Sequence, residues 1–190
     1  MPRAKSFERI RVVDACLRVF KDHGFKATSI QELVQGAETN RKTIYDVFID
    51  KEGLYKECVA LHFNRDTQTT TKILSTSPLG RSNVRNFWDW KCQQIAEEGC
   101  FATLIINERN STPDEAVELA IKSWSDYKQL ISKNLEVEMG AMLAENFAET
   151  FVSMLPSLGT RARQEGGAGP GFIAASDMIL ERALPEIATV

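Results

Sequence analysis

Residues 28–56 read TSIQELVQGAETNRKTIYDVFIDKEGLYK, and this stretch decides the fold. Thr28 or Ser29 offers a hydroxyl as N-cap. Glu32, three residues after Ser29, completes a capping box, so a short helix starts here with Ile30, Leu33, Val34 and Ala37 on its buried side. Gly36, Ala37, Glu38 and Thr39 interrupt that helix for a few residues before another begins near Asn40. A turn this short makes two short helices cross steeply, which is helix-turn-helix geometry. The later helix sets Ile44, Val47 and Phe48 against a core. At about 100° per residue, Lys42 and Asp46 then point away from it, flanked by Thr43 and Tyr45. Asp50 reads as the N-cap of the next helix, the fourth of the chain, which runs through Leu54, Tyr55, Cys58, Leu61 and His62.

Helical periodicity continues on both sides. Upstream, Phe7, Ile10, Val13, Leu17 and Phe20 recur at three- and four-residue intervals, with Arg9, Arg11, Asp14, Arg18 and Lys21 opposite, and Gly24 closes the run. Downstream, residues 75–80 (STSPLG) break the chain, and a helix follows from about Arg81 to Glu98, ended by Gly99. Phe101 to Glu108 read as a short apolar helix. Ser111, Thr112 and Pro113 start a longer one with Asp114 and Glu115 in its first turn. The pattern stays helical to about Leu155, with an interruption at Gly140 and an end at Pro156. A flexible loop at 165–171 and a last helix from about Phe172 to Leu184 complete the reading. With no credible strand pair, repeat or heptad run, the chain is predicted to be all-α. A three-helix module occupies residues 1–50, a fourth helix links from 51, and a helical body fills 51–190.

The totals narrow the function. Of 190 residues, 43% are hydrophobic and 26% charged, ordinary values for a chain with a core. Nothing reads as an apolar leader or spanning segment, which places the chain in the cytoplasm and off the membrane. The net charge of −3 is uneven: residues 1–56 carry eleven Lys or Arg against eight Asp or Glu, and residues 57–190 carry twelve against eighteen. A basic module facing a phosphate backbone and an acidic body held away from it fit that split. Cys16, Cys58, Cys92 and Cys100 lack Cys-x-x-Cys spacing, and two histidines are too few partners for a structural zinc, so neither metal nor cofactor is expected. The default for each cysteine is a reduced, buried small hydrophobe. No nucleophile elbow, Gly-rich phosphate loop or acid/base pair is present, so the chain does not read as an enzyme.

The run ACLRVFKDHGF at 15–25, then Thr28, Ser29 and Ile30, then Thr43, Ile44, Tyr45, Val47 and Phe48, then Lys51, Glu52 and Leu54 together resemble the TetR family of bacterial regulators over residues 7–56. Gly99, Cys100, Phe101 and the stretch 161–166 look like elements of that family's body. Two departures stand out: Glu38 sits where the family usually has glycine, and Thr39 where it has an aliphatic residue. A non-glycine residue in a left-handed turn costs about 1 kcal/mol. Lys42 replaces what is commonly a small residue or proline.

The resemblance implies a DNA-reading homodimer that binds an operator duplex and is released by a small-molecule effector. Thr28, Tyr45 and Lys51 would then hold phosphates, together with backbone N–H groups at the helix N-termini. Asn40, Arg41, Lys42 and Thr43 are the candidates for base edges, since Arg or Lys suits guanine and Asn suits adenine. Asp46 could accept from cytosine but repels phosphate. Arg3, Lys5 and Arg9 are candidates for a loose arm on the neighbouring groove or backbone. Taken alone, residues 40–46 read more readily as a solvated helix face; joined to the capping box, short turn and Tyr45, Phe48, Lys51 spacing, they favour DNA.

Small and apolar residues at 141–155 and 172–184 (Ala144, Phe147, Ala148, Phe151, Val152, Ala174, Ala175, Met178, Ile179) are expected at a subunit interface, or else in the core of a monomer. By resemblance, Trp88, Cys92, Cys100, Asn107, Trp124 and Tyr127 are the effector-pocket candidates, although aromatic groups so placed are more often core. Asn107 and Glu108 would be polar selectors there, or caps and surface. Cys100, just after Gly99, suggests a thiol switch as an alternative, and a purely structural helical interaction protein is the remaining one.

Overall fold

The structure, a computed structural model, describes residues 2–165 and 174. Among the described residues eight α-helices run in order: α1 (Pro2–Ala27), α2 (Ile30–Gly36), α3 (Arg41–Phe48), α4 (Lys51–Leu74), α5 (Arg81–Glu98), α6 (Phe101–Asn107), α7 (Asp114–Met139) and α8 (Ala141–Glu165). There is no strand among the described residues. The expected loop at 165–171 and helix at 172–184 lie outside them, except for Glu165 at the end of α8 and Ala174.

The chain divides into two compact units: Met1–Thr67 with Phe101–Ser123, and Gln68–Cys100 with Trp124–Val190. In the first, α1 packs on α2 and α6, and α2 on α3. Its core holds Cys16, Leu17, Phe20, Leu33, Ile44, Leu54, Tyr55 and Cys58, all buried. Phe20 meets Tyr55 edge-on at 4.8 Å, a geometry that adds about 0.5–1.5 kcal/mol to area burial. Ile10, expected on the buried face of α1, is 53% exposed. Burial pushes the Cys16 thiol up to about 12 and that of Cys58 well above its ordinary value, so both stay protonated and inert.

In the second unit α5 packs on α8 over a core that includes Val84, Phe87, Trp88, Ile95, Ile131, Leu135, Ala148 and Leu155. The 75–80 connection is held by two buried amides. Asn134 donates to the Leu74 and Leu130 carbonyls at 2.7 and 2.8 Å. Its Oδ1 accepts from the Gly80 N–H at 3.1 Å and from Asn83 at 3.0 Å, while Asn83 also donates to the Thr76 carbonyl at 2.7 Å. A buried polar pair is tolerable when satisfied in this way. One expectation is corrected here: α8 does not stop at Pro156 but continues to Glu165. A proline removes one N–H from the ladder and crowds the preceding turn, which bends a helix as often as it ends one.

Two predictions follow from this packing. Asn134→Ala strands a backbone carbonyl and the Gly80 N–H, so it should lower the unfolding free energy by roughly 2–4 kcal/mol, read as an earlier urea midpoint at unchanged slope. Burial raises the Asp14 carboxyl, but hydrogen bonds from Arg18 and Arg65 outweigh it and hold the group below its ordinary 3.8; hydrogen bonding from Arg81 likewise holds Glu138 below 4.5. Carboxyls depressed by folding contribute stability that is complete above their ordinary values and lost as pH falls through them. Melting temperature should therefore drop as pH is lowered below about 4.5, and Asp14→Asn should flatten part of that fall.

Candidate nucleic-acid interface

The reading head is built by helix ends. Gly24 breaks α1 with φ 79° and ψ 174°, a conformation that favours glycine. A Cβ at this position would also collide with the Glu108 carboxylate. Glu108, just beyond α6, accepts from the Phe25 N–H at 2.8 Å and the Lys26 N–H at 3.4 Å. The freed carbonyls on the other side of the break find donors too. The Thr28 hydroxyl donates to the Gly24 carbonyl at 2.5 Å, and the Lys51 ammonium to those of Phe25 and Thr28 at 2.9 and 3.0 Å. Lys51 also lies 4.5 Å from the centre of the Phe25 ring, which itself rests against Tyr55 at 4.7 Å.

These contacts give several residues a placement other than the expected one. Thr28 is 2% exposed and braces the end of α1, so its side chain does not face outward. Lys51 is likewise spent on carbonyls at a helix end, where a cation is favoured. Glu108, expected as a pocket selector, a cap or a surface residue, accepts from two backbone N–H groups at the break in α1 and so ties α6 to α1 in a capping role. Arg9 pairs with Glu57 and lies over the Phe48 ring at 5.1 Å, so it is fixed in the module and is no loose arm. The side chains of Arg3 and Lys5 fall outside the described residues.

The start of α2 follows the sequence closely. Ser29 accepts from the Glu32 N–H at 3.2 Å and Glu32 accepts from the Ser29 N–H at 2.7 Å, the full capping box. The turn follows, with Glu38 in the left-handed region at φ 49°. Asn40 caps α3: its Oδ1 accepts from the Thr43 N–H at 2.8 Å and from the Thr43 hydroxyl at 3.1 Å. That spends the acceptor a two-point contact with adenine would need, and leaves the Asn40 NH₂.

Ile44 and Phe48 are buried and anchor α3, while Arg41, Lys42, Tyr45 and Asp46 are exposed and Thr43 is half-buried. Val47 departs from expectation. It is 37% exposed, because an eight-residue helix resting on Ile44 and Phe48 turns position 47 to the flank of the outward edge. Ile49 closes α3 at φ 71° and ψ −56°, with the Asp50 N–H on the Phe48 carbonyl at 2.8 Å. Asp50 then accepts from the Gly53 N–H at 2.7 Å and opens α4.

Of the effector candidates, Trp88, Cys92, Cys100 and Tyr127 are buried in the second unit and Trp124 is half-buried there. Asn107 belongs to the first unit and is exposed. Sequence reasoning passed over Lys91, which is 6% exposed. Its ammonium lies 4.7 Å from the Trp90 ring centre and 4.9 Å from that of Tyr127, and donates to Gln94 at 3.0 Å. The signal available was a lysine directly between Trp90 and Cys92.

Residues 12–58 match the family model described as bacterial regulatory proteins, tetR family. The HTH-type transcriptional repressor ComR of Escherichia coli (strain K12) is 33% identical over 63 residues, 33% of this chain and 30% of the relative, so the matched segment spans under a third of that protein's length. A TetR-family transcriptional regulator from Agrobacterium tumefaciens superposes with TM-score 0.80 at 16% identity, covering 93% of this chain and 97% of that one. Reduced NemR of E. coli gives 0.77 at 15% identity, over 92% and 95%. A cysteine mutant of the TetR-family regulator CifR, complexed with 26bp double-strand operator DNA, gives 0.72 at 20% identity, over 93% and 95%.

With Asn40 clamping the start of α3, Asn40→Ala should cost about 1 kcal/mol of stability in urea unfolding, while Asn40→Asp, which keeps the acceptor, should cost little. Equal losses in the two variants would mean that the cap contributes nothing.

Proposed function

We propose that this chain, whose residues 12–58 match the tetR-family model and whose fold is similar to that of TetR-family regulators, is a transcriptional repressor that binds operator DNA as a homodimer and is released by a small effector held in its helical body. The observation that carries this reading is α3 itself: a helix pinned by Ile44 and Phe48 and capped by Asn40, with Arg41, Lys42, Thr43 and Tyr45 along its outward edge. Residues 1–50 are the reading head, and α4 links it to the body from 51. An α-helix fits the major groove, where Arg41 and Lys42 suit guanine, Tyr45 a phosphate, and the Asn40 NH₂ a single acceptor. The flanking Val47 suits a thymine methyl. Backbone N–H groups at the start of α4 serve a phosphate in place of the Lys51 side chain.

Two copies set about 34 Å apart read successive major grooves, and that spacing is what an effector changes. Glu108 is the natural relay, because it joins α6 directly to the break in α1 that positions the start of α2. An allosteric coupling of this kind is typically worth about 1–3 kcal/mol. Cytoplasmic location accords with this role, and among the described residues no helix is long and apolar enough to cross a membrane.

Affinity for mixed-sequence duplex should fall with salt along a straight log–log line, and Tyr45→Phe, by removing a phosphate contact, should lower that slope by about 0.9. Lys42→Ala should cost roughly 1–3 kcal/mol on the operator, sought by footprinting beside the protein's own coding region, and relax the preference at one base pair. Absence of any salt-dependent binding at low ionic strength would refute the reading. Glu108→Gln should leave the fold intact while weakening the effector's influence on operator affinity, compared in parallel titrations with and without compound.

A further inference from the structure

The corner between α3 and α4 places an isoleucine where neither burial nor backbone preference calls for one. Ile49 has φ 71° and ψ −56°, and the Asp50 N–H donates to the Phe48 carbonyl across it at 2.8 Å. These are the angles and the bond of a γ-turn in its rare, strained form, which a β-branched residue accommodates poorly and glycine adopts readily. Burial gives nothing back, since Ile49 is 82% exposed, more than any other large apolar side chain among the described residues of the first unit. The corner is also tightly closed: Asp50 accepts from the Gly53 N–H at 2.7 Å, and a Cβ at Gly53 would collide with the Phe48 carbonyl. The side chain is therefore displayed by a fixed turn, and a backbone outlier at a reading head is grounds for a functional role.

Its neighbours point to the role. The Ile49 N–H donates to the Tyr45 carbonyl at 3.1 Å, so Ile49 stands one turn beyond Tyr45 on α3, and Tyr45 is exposed. The opening N–H groups of α4 follow from Lys51, two residues later. Tyr45 and those N–H groups are the phosphate contacts of the regulator reading, and what joins successive phosphates along a strand is a deoxyribose with apolar C–H faces. We propose that Ile49 is a DNA-contact residue whose side chain packs on the deoxyribose between these phosphates, so that the head grips the strand by an apolar contact as well as by charge. The proposal rests on the regulator reading of the first unit and adds to it a residue and a chemistry. A contact of this kind removes apolar surface from water and releases no counterion, so it adds affinity that salt does not screen.

Urea unfolding and duplex binding are compared in the unaltered full chain and in Ile49→Gly, Ile49→Ala and Ile49→Leu, the duplex being the sequence footprinted beside the protein's own coding region. Ile49→Gly should raise the urea midpoint at unchanged slope yet weaken binding at least about tenfold, as expected when about one methylene fewer is buried at each of two heads. Ile49→Ala should lose affinity to the same extent, while Ile49→Leu, which keeps the apolar reach, should stay within about threefold of the unaltered chain. Both of these variants keep a Cβ in the strained turn, so a merely structural role would leave them equal. The log–log salt slope should be the same in every variant, unlike that of Tyr45→Phe. The gap between Ile49→Ala and Ile49→Leu should persist on a duplex with deoxyuridine for thymine, because the contact is to sugar and not to a base methyl. Equal binding by those two variants, a changed salt slope, a gap that vanishes with deoxyuridine, or no gain in urea midpoint for Ile49→Gly each overturns the proposal. Duplex binding that ignores Ile49→Ala removes this proposal alone, whereas an unaltered chain that binds no duplex at any ionic strength brings down the regulator reading and this proposal with it.

Discussion

The geometry of the first unit depends on one carboxylate. Glu108 collects the Phe25 and Lys26 N–H groups where α1 breaks at Gly24, so the donors released by the break are paired. A helix end exposes donors and carbonyls that must be paired; here the donors go to Glu108 and the carbonyls to Thr28 and Lys51. Two distant residues, Lys51 and Glu108, and the nearby Thr28 thus converge on the peptide units around the break. The start of α2, and with it the placement of α3, follows from how those units are held. Because the acceptor comes from beyond α6, the head is built partly from residues some eighty positions away, which accounts for residues 101–123 grouping with the first sixty-seven.

Local chemistry was legible in the sequence to the extent that it was local. The Ser29–Glu32 box, the left-handed Glu38, the Asp50 cap, α5 from Arg81 to Glu98 and the break at Gly140 all depend on residues within a few positions of one another, and each stands where its neighbours imply. The end assigned to Pro156 failed because a proline's cost is set by what packs around the helix, and α8 runs through it. Ile10 and Val47 were assigned to the core by period alone. Period cannot say how wide a buried stripe is when a helix rests on just two anchors, as α3 does on Ile44 and Phe48.

The candidate site was legible in outline and not in its hydrogen bonds. That α3 turns Arg41, Lys42 and Tyr45 outward follows from where Ile44 and Phe48 must go. That Thr28 and Lys51 face inward does not, because their partners are carbonyls released by a break whose geometry depends on Glu108, eighty-four residues beyond Gly24 in the chain. Lys91 escaped for a related reason. A lysine between aromatic residues is ordinarily read as a surface charge, and only the approach of Tyr127 from α7 makes it an interior one.

Ile49, the first of the two residues between α3 and α4, divides the head. With the turn at Ile49 relaxed into ordinary helical angles, Arg41 to Leu74 would form one unbroken rod, and the peptide N–H groups now opening α4 would vanish into its ladder. A β-branched side chain held at φ 71° and 82% exposed is an unfavourable way to prevent that, costing about 1–3 kcal/mol. Phe48 beneath Arg9 and the Asp50 clasp on Gly53 keep the corner bent from either side. The corner therefore works as a permanent spacer, dividing one potential rod into a short probe and a long strut, each with its own positive end.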